Sequence, residues 1–334
     1  MAHAARAARR YREEGGDIEF DSLGKLTSPV AIAAFEGWND AGEAASGVIS
    51  HLGIAWQAQP IAAIEPEDFY DFQVTRPVVE ITEGRIERLV WPTTRLSVAR
   101  AGAAPDPAAT AGDGTDPAGA KDGEERESAA TGTGLDKDIV LVHGIEPNMR
   151  WRTFTSELVQ GLIDLEVESV ILLGALLADA PHTRPVPVSV GASDPKLSAT
   201  VTAPFSDYKG PTGILGVVQH ALAGAGVPAV SLWASVPHYV ATPPNPKATL
   251  ALLRGVEDIL DASLPLVDLA EEARAWERGV DELAQQDSEV AEYVRTLEEA
   301  KDATDLPQAS GDAIAREFER YLRRRGRRGE PGGI

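Results

Sequence analysis

Apolar residues recur along this chain in three rhythms. The first is the continuous run: PVAIAAF (29–35), DIVLVHG (138–144), SVILLGAL (169–176) and AVSLWAS (229–235). Runs without polar alternation predict strands covered on both faces. Stretches with helical spacing lie between them, at 40–53, 152–166 and 213–224. The second rhythm is alternation. VVEITEGRIERLVWP (78–92) alternates about a central Glu-Gly and predicts an antiparallel hairpin with one wet face, while KLSATVTAPF (196–205) is a candidate for another strand. Strands alternating with helices predict an α/β fold, a three-layer αβα sandwich with a mostly parallel mixed sheet.

The third rhythm begins after about residue 264. Leu269, Ala273, Trp276, Val280, Leu283, Val290, Val294 and Leu297 follow a heptad seam, with Asp287 where an apolar residue is due. DAIAREFERYLRRR (312–325) follows Pro307 as a shorter helix. Together they predict a C-terminal helical hairpin over 264–325 with coiled-coil character. Its seam either packs on its own domain or meets another subunit.

Composition places the boundaries. Residues 101–134, AGAAPDPAATAGDGTDPAGAKDGEERESAATGTG, hold almost no large apolar side chain and cannot offset their ordering entropy. They are expected to form a disordered insertion within an α/β domain spanning 28–263. Residues 1–27 read as an N-terminal tail and 326–334 as a disordered tail. No apolar stretch approaches the roughly 20 residues of a membrane span. The opening MAHAARAARRYREEGG lacks the apolar core of a secretory signal. The absence of cysteine removes disulfides, thiolate catalysis and Cys-based zinc sites, which fits a cytoplasmic protein. A formal net charge of -21 repels phosphate and excludes nucleic acid as the main partner. The basic YLRRRGRR near the end reads as a solvated exception.

Candidate chemistry gathers just after the apolar runs, where ligands bind in open parallel sheets. Glu36, Trp38, Asn39 and Asp40 follow the first run, and His143, Glu146 and Asn148 the second. Asp179, His182, Thr183 and Arg184 follow the third, and His238 and Tyr239 the fourth, so three of the six histidines stand at these tips. Asp40 and Glu43 also have capping-box spacing, a structural explanation that leaves Glu36, Trp38 and Asn39 unexplained. Prolines flank His182–Arg184 and precede His238, either aiming those side chains or only routing the chain. Gly210-Pro211-Thr212-Gly213 leads into an apolar helix with Thr212 as its N-cap, an anion site or an ordinary turn. No two histidines have tight ligand spacing, so neither metal nor cofactor is expected. There is no G-x-S-x-G elbow, Walker loop or H-E-x-x-H.

EGWNDAGEA, HGIEPNMRWRTF, LLGALLADAPHTRPVPV, YKGPTGILGV and ASVPHYVATPPNPKATLALL, in this order, resemble the proteasome assembly chaperone 2 family in its actinobacterial form. The resemblance covers most of residues 28–300. It implies a phosphorylase/hydrolase-like α/β fold, commonly as a homo-oligomer. It also implies a non-catalytic assembly or binding protein whose partners include proteasome core subunits. The chain ends in GEPGGI with Tyr321 well inside, so docking by a hydrophobic–Tyr–any-residue tail is not expected. The alternative is a small-molecule binder or hydrolase/transferase-like enzyme. Its pocket would draw on Glu36, Trp38, Asn39, His143, Glu146, Asn148, His182, Arg184, Thr212, Gly213 and His238.

Overall fold

A computed structural model of the chain describes residues 12–13, 16–17, 23–102, 133–192 and 208–305. The bulk of the polar insertion, the candidate strand 196–205 and the helix 312–325 lie outside the described residues. The main elements are β1 (Val30–Glu36), α1 (Ala44–Ala55), β2 (Gln59–Ile64), β3 (Val78–Thr82), β4 (Arg85–Val90), β5 (Thr94–Ala99) and β6 (Ile139–Ile145). There follow α2 (Trp151–Asp164), β7 (Ser169–Ala178), β8 (Val188–Ala192), α3 (Ile214–Gly224), β9 (Ala229–Pro237), α4 (Pro246–Leu260), α5 (Val267–Gln286) and α6 (Ser288–Asp305).

Seven strands form one mixed sheet in the order β8-β9-β7-β1-β6-β5-β2, with helices on both sides. The four continuous apolar runs are the adjacent strands β9, β7, β1 and β6, which occupy the interior of the sheet. All residues from Val30 to Phe35 are buried, as expected for a strand covered on both faces. Antiparallel pairs finish the flanks: β8 with β9, and β6 with β5 and then β2. An isolated parallel bridge joins Asp40 to Ala175, just past the end of β1. Strands β2, β5 and β8 are not marked by continuous runs. QPIAAI is broken by proline, TRLSVA mixes polar and apolar positions, and VSVGA is only five residues long.

The chain divides into two units. The first draws on Met1–Phe35, Ile49–Leu172 and Thr212–Ala229. Its core includes Phe154 edge-on to Phe35 at 5.9 Å and to Phe69 at 5.4 Å. Helices α2 and α3 pack on each other. The buried carboxylate of Asp138 accepts from the amides of Thr27 (2.9 Å) and Ala101 (2.6 Å) and from Arg100 (3.1 Å). These bonds, with that from the amide of Gly134 to the carbonyl of Gly102 at 2.8 Å, close the neck of the insertion.

The β3–β4 hairpin belongs to this unit. Its turn residues Glu83 and Gly84 both have left-handed backbones, φ 51° and 78°, the conformation that suits a two-residue hairpin turn. The expectation of one wet face is corrected: every position of β3 is exposed, as are the first four of β4. Among the described residues, neither helix nor sheet covers the hairpin's other face.

The second unit draws on Glu36–Val48, Leu173–Pro211 and Val230–Ile334. Gly174 lies directly under the Trp233 ring, and a Cβ at Gly174 would meet that ring at 2.6 Å. Gly42 has φ 64°, and a Cβ there would approach Asn245 Cβ at 2.9 Å. Asn245 caps α4 by accepting from Ala248 N at 3.0 Å. Helix α5 packs on α4, and α6 on α5. Leu269, Ala273, Val280 and Val294 of the heptad seam are buried, as is Ala284 beside it, whereas Leu283 is exposed. The seam is also divided. Asp287 ends α5, and its carboxylate accepts from Glu289 N at 2.9 Å as the cap of α6. The polar residue in an apolar slot is a helix start.

Candidate functional site

The strand-tip residues of the second unit are built around β7. Beyond its end, the chain turns through Asp179–Arg184 and meets residues of α5 and α6. His182 is 2% exposed. Its amide donates to Tyr239 Oη at 2.8 Å; its Nδ1 lies 2.8 Å from the same oxygen and its Nε2 3.0 Å from Asp281 Oδ1. A carboxylate only accepts, so a neutral ring carries its proton on Nε2, and Tyr239 donates its hydroxyl proton to Nδ1. Burial, above all, pushes Tyr239 up to about 12, which keeps that hydroxyl protonated.

Its neighbours are bonded in the same way. Thr183 Oγ1 donates to Glu298. Arg184 grips Asp302 with two bonds, Nε to Oδ1 at 2.9 Å and one terminal nitrogen to Oδ2 at 2.8 Å, and reaches Glu298 at 3.2 Å. The forked geometry matches guanidinium to carboxylate. The hydrogen bond from Arg184 holds the Asp302 carboxyl below its ordinary range and raises Arg184. Lys247 donates to the carbonyl of His182 and pairs with Glu277 at 2.9 Å. Asp179 accepts from Tyr293 Oη at 3.1 Å and lies 3.2 Å from His238 Nδ1. The rings of His182, Tyr239, His238 and Tyr293 form a chain of edge contacts at 5.4 to 6.0 Å.

The loop after β1 has another arrangement. Trp38 is 64% exposed and Asn39 is buried. The carbonyl of Asn39 accepts from Ala175 N at 2.8 Å. Asp40 caps the following helix, but not through the expected capping box. Its carboxylate accepts from Ala45 N at 2.7 Å and Ser46 N at 3.3 Å. A 3₁₀ turn over Ala41–Glu43, with Gly42 and Glu43 both at positive φ, displaces the start of α1. Burial is the main reason that the Asp40 carboxyl is raised above its ordinary range; the nearby Glu36 adds to it.

Within the first unit, Glu146, Thr212 and Gly213 come together. Gly213, not Thr212, is the N-cap of α3, and Glu146 Oε1 accepts from Ile214 N at 2.8 Å. The anion that this helix start favours is a carboxylate of the same chain. Asn148 Oδ1 accepts from Asp71 N and from Thr75 Oγ1, both at 3.0 Å, pinning the turn that follows Phe69. His143 stands in β6 opposite Arg95 of β5.

The structure adds Asp281, Glu298, Asp302, Tyr293, Lys247 and Glu277 to the residues the sequence pointed to. The only sequence signal for Glu298 and Asp302 is their i, i+4 spacing on one face of α6. The described residues contain no cluster of His, Cys, Asp or Glu arranged to hold a metal ion. No described helix is long and apolar enough to cross a membrane.

Comparison with known proteins places these features. The model of the PAC2 family matches residues 34–284. A PAC2 family protein from Streptomyces avermitilis is 53% identical and matches 80% of this chain and 99% of its own, with a TM-score of 0.65. A proteasome-assembly chaperone homologue from Mycobacterium tuberculosis is 48% identical over 79% of this chain and 99% of its own, with a TM-score of 0.66. An archaeal proteasome activator from Pyrococcus furiosus, at 13% identity, 77% and 94% coverage and a TM-score of 0.53, shares the fold. Among curated proteins, none matches the chain.

Proposed function

Since this chain belongs to the PAC2 family, we propose that it is a non-catalytic assembly factor that binds proteasome core subunits and works as a cytoplasmic homo-oligomer. One observation carries the reading. The side chains best suited to acid–base or anion chemistry at the β7 tip, His182 and Arg184, are bonded to Tyr239, Asp281, Glu298 and Asp302 of the same unit. A general base must reach a proton on substrate, whereas this ring is buried with both nitrogens engaged. The identity to a mycobacterial proteasome-assembly chaperone homologue supports the choice of partner. A folded surface with an internally tied scaffold suits binding of a protein rather than turnover of a small molecule.

The test uses purified proteasome core subunits from the same organism, mixed with the full chain and followed by native gel and light scattering. The chain is expected to bind free subunits or half-assembled rings with micromolar or tighter affinity, roughly 8 kcal/mol or more of binding free energy. His182→Gln is expected to leave that binding within twofold. Failure of any subunit to bind up to about 100 µM, a free energy of roughly 5 kcal/mol, would remove the reading.

A further inference from the structure

We propose that α6 is a hinged strap, latched by Arg184 to the loop after β7, that swings open about Asp287 while α5 stays folded. This goes beyond the assembly reading above and does not depend on it.

The hinge is one residue. Helix α5 ends at Gln286, α6 begins at Ser288, and Asp287 between them is extended, with φ -123° and ψ 111°. That same residue completes the start of α6. Its carboxylate accepts from Glu289 N at 2.9 Å and its carbonyl from Ala291 N at 2.9 Å. A helix whose first turn is capped from its own hinge keeps those bonds when it swings.

Little apolar surface holds α6 in place. Of residues 288–303 only Val294 is buried, whereas α5 buries Leu269, Ala273, Val280 and Ala284. Removal of apolar surface from water is the main favourable term in packing, so α5 is anchored by it and α6 barely is. Charge works against α6 as well. Six acidic and two basic residues lie on α5 and as many on α6, a net of -4 on each of two helices that pack together. Like charges on neighbouring helices repel.

The opposing attraction comes from one short loop. Arg184 pairs with Asp302 at 2.8 Å and with Glu298 at 3.2 Å, Thr183 donates to Glu298, and Asp179 accepts from Tyr293. Arg184 is the one cation in this set. Glu298 and Asp302 stand one turn apart on α6, so a single guanidinium holds both. The loop itself stays where it is when α6 leaves. Pro181 and Pro185 fix the backbone on either side of His182–Arg184, and His182 is tied to Tyr239 and to Asp281 of α5. In the closed form, carboxylates of the same chain occupy Arg184. In the open form, Thr183 and Arg184 face solvent from a fixed loop.

Hydrogen exchange of the full chain, read by mass spectrometry, tests this, with protection of β1 reporting that the fold is intact. In wild type, amides in the middle of α6 are expected to exchange about tenfold faster than those in the middle of α5, or more, as a separately opening unit does. Arg184→Gln should speed α6 by about another tenfold, the effect of losing a charged hydrogen bond, with α5 within about twofold. Asp302→Arg should act at least as strongly, because two guanidinium groups then face each other. Arg184→Asp combined with Asp302→Arg restores an opposite pair. It should return α6 to within about threefold of wild type, a recovery that a damaged loop could not give. Equal exchange of α5 and α6 in wild type, or a rise shared equally by both helices in Arg184→Gln, would overturn the proposal. So would an Arg184→Gln chain that exchanges like wild type, or a swapped pair as fast as its single variants.

Discussion

The loop after β7 and the β3–β4 hairpin are opposites. The loop is dense with chemistry, and its side chains are matched inside the fold: His182 with Tyr239 and Asp281, Arg184 with Asp302 and Glu298, Asp179 with Tyr293 and His238. The hairpin carries valine and isoleucine, and its own unit leaves them in water. Reactive residue types therefore mark where this chain holds itself together, and inert ones mark a surface that the described residues leave exposed. A search for function by residue type alone would rank the two regions in the wrong order. A functional motif is identified by what its atoms face.

The largest effect should come from breaking the loop. His182→Ala removes a buried ring and leaves the half-buried Tyr239 hydroxyl without its acceptor and Asp281 without its donor. Cavity and lost bonds together should cost about 2–3 kcal/mol of unfolding free energy, read by urea denaturation. Hydrogen exchange should rise first in α5 and α6, whose Asp281, Glu298 and Asp302 hold the loop. A cost below about 0.5 kcal/mol would show that the histidine is not a structural tie, and the contrast with the hairpin would fail.

A smaller effect is expected at Asp40. Asp40→Ala loses the bonds to Ala45 and Ser46 and should cost about 1 kcal/mol, the usual value of an N-cap. Asp40→Asn keeps an acceptor there. Burial raises the folded-state pKa of Asp40 above the ordinary value of 3.8, so the folded chain holds this proton more tightly than the unfolded one. The resulting contribution to stability is fully present below the unfolded pKa and is lost as pH rises through the folded one. At neutral pH, where the carboxylate carries its full desolvation penalty, the Asn variant should be no less stable than wild type. Its relative standing should fall as the pH is lowered to about 4. Thermal denaturation at the two pH values reads the difference, and an Asn variant as unstable as Ala at neutral pH would show that ionisation is not penalised here.

How much of this was legible follows from the physics of each signal. The four interior strands were readable because a strand covered on both faces has no polar position to interrupt it. Three flanking strands, β2, β5 and β8, were not, since proline, mixed polarity or shortness blurred their pattern. The hairpin and its Glu-Gly turn were readable, but the fate of its second face was not, because covering a face is a property of what packs on it. Asp287 was visible as an irregularity and only its bonds to α6 made it a cap. At the site, Glu146 was read as one of the pocket candidates. Its bond to Ile214 joins residues 68 apart in sequence, and no local pattern encodes such a pairing. The ties from His182 to Asp281 and from Arg184 to Asp302 span 99 and 118 residues and were hidden for the same reason.

The smallest stability effect should lie in the hairpin, and its smallness is the informative result. Ile86→Thr keeps a β-branched side chain, so local strand preference changes little. The residue is 66% exposed, so little apolar contact is lost within the chain. Measured at a dilution where the chain is monomeric, its unfolding free energy should shift by less than about 0.5 kcal/mol, as for surface substitutions away from special features. A loss above about 1.5 kcal/mol in the dilute chain would be too large for an exposed residue. It would place Ile86 in a core of its own unit, and the hairpin would then belong with the loop, among the parts by which the protein holds itself together.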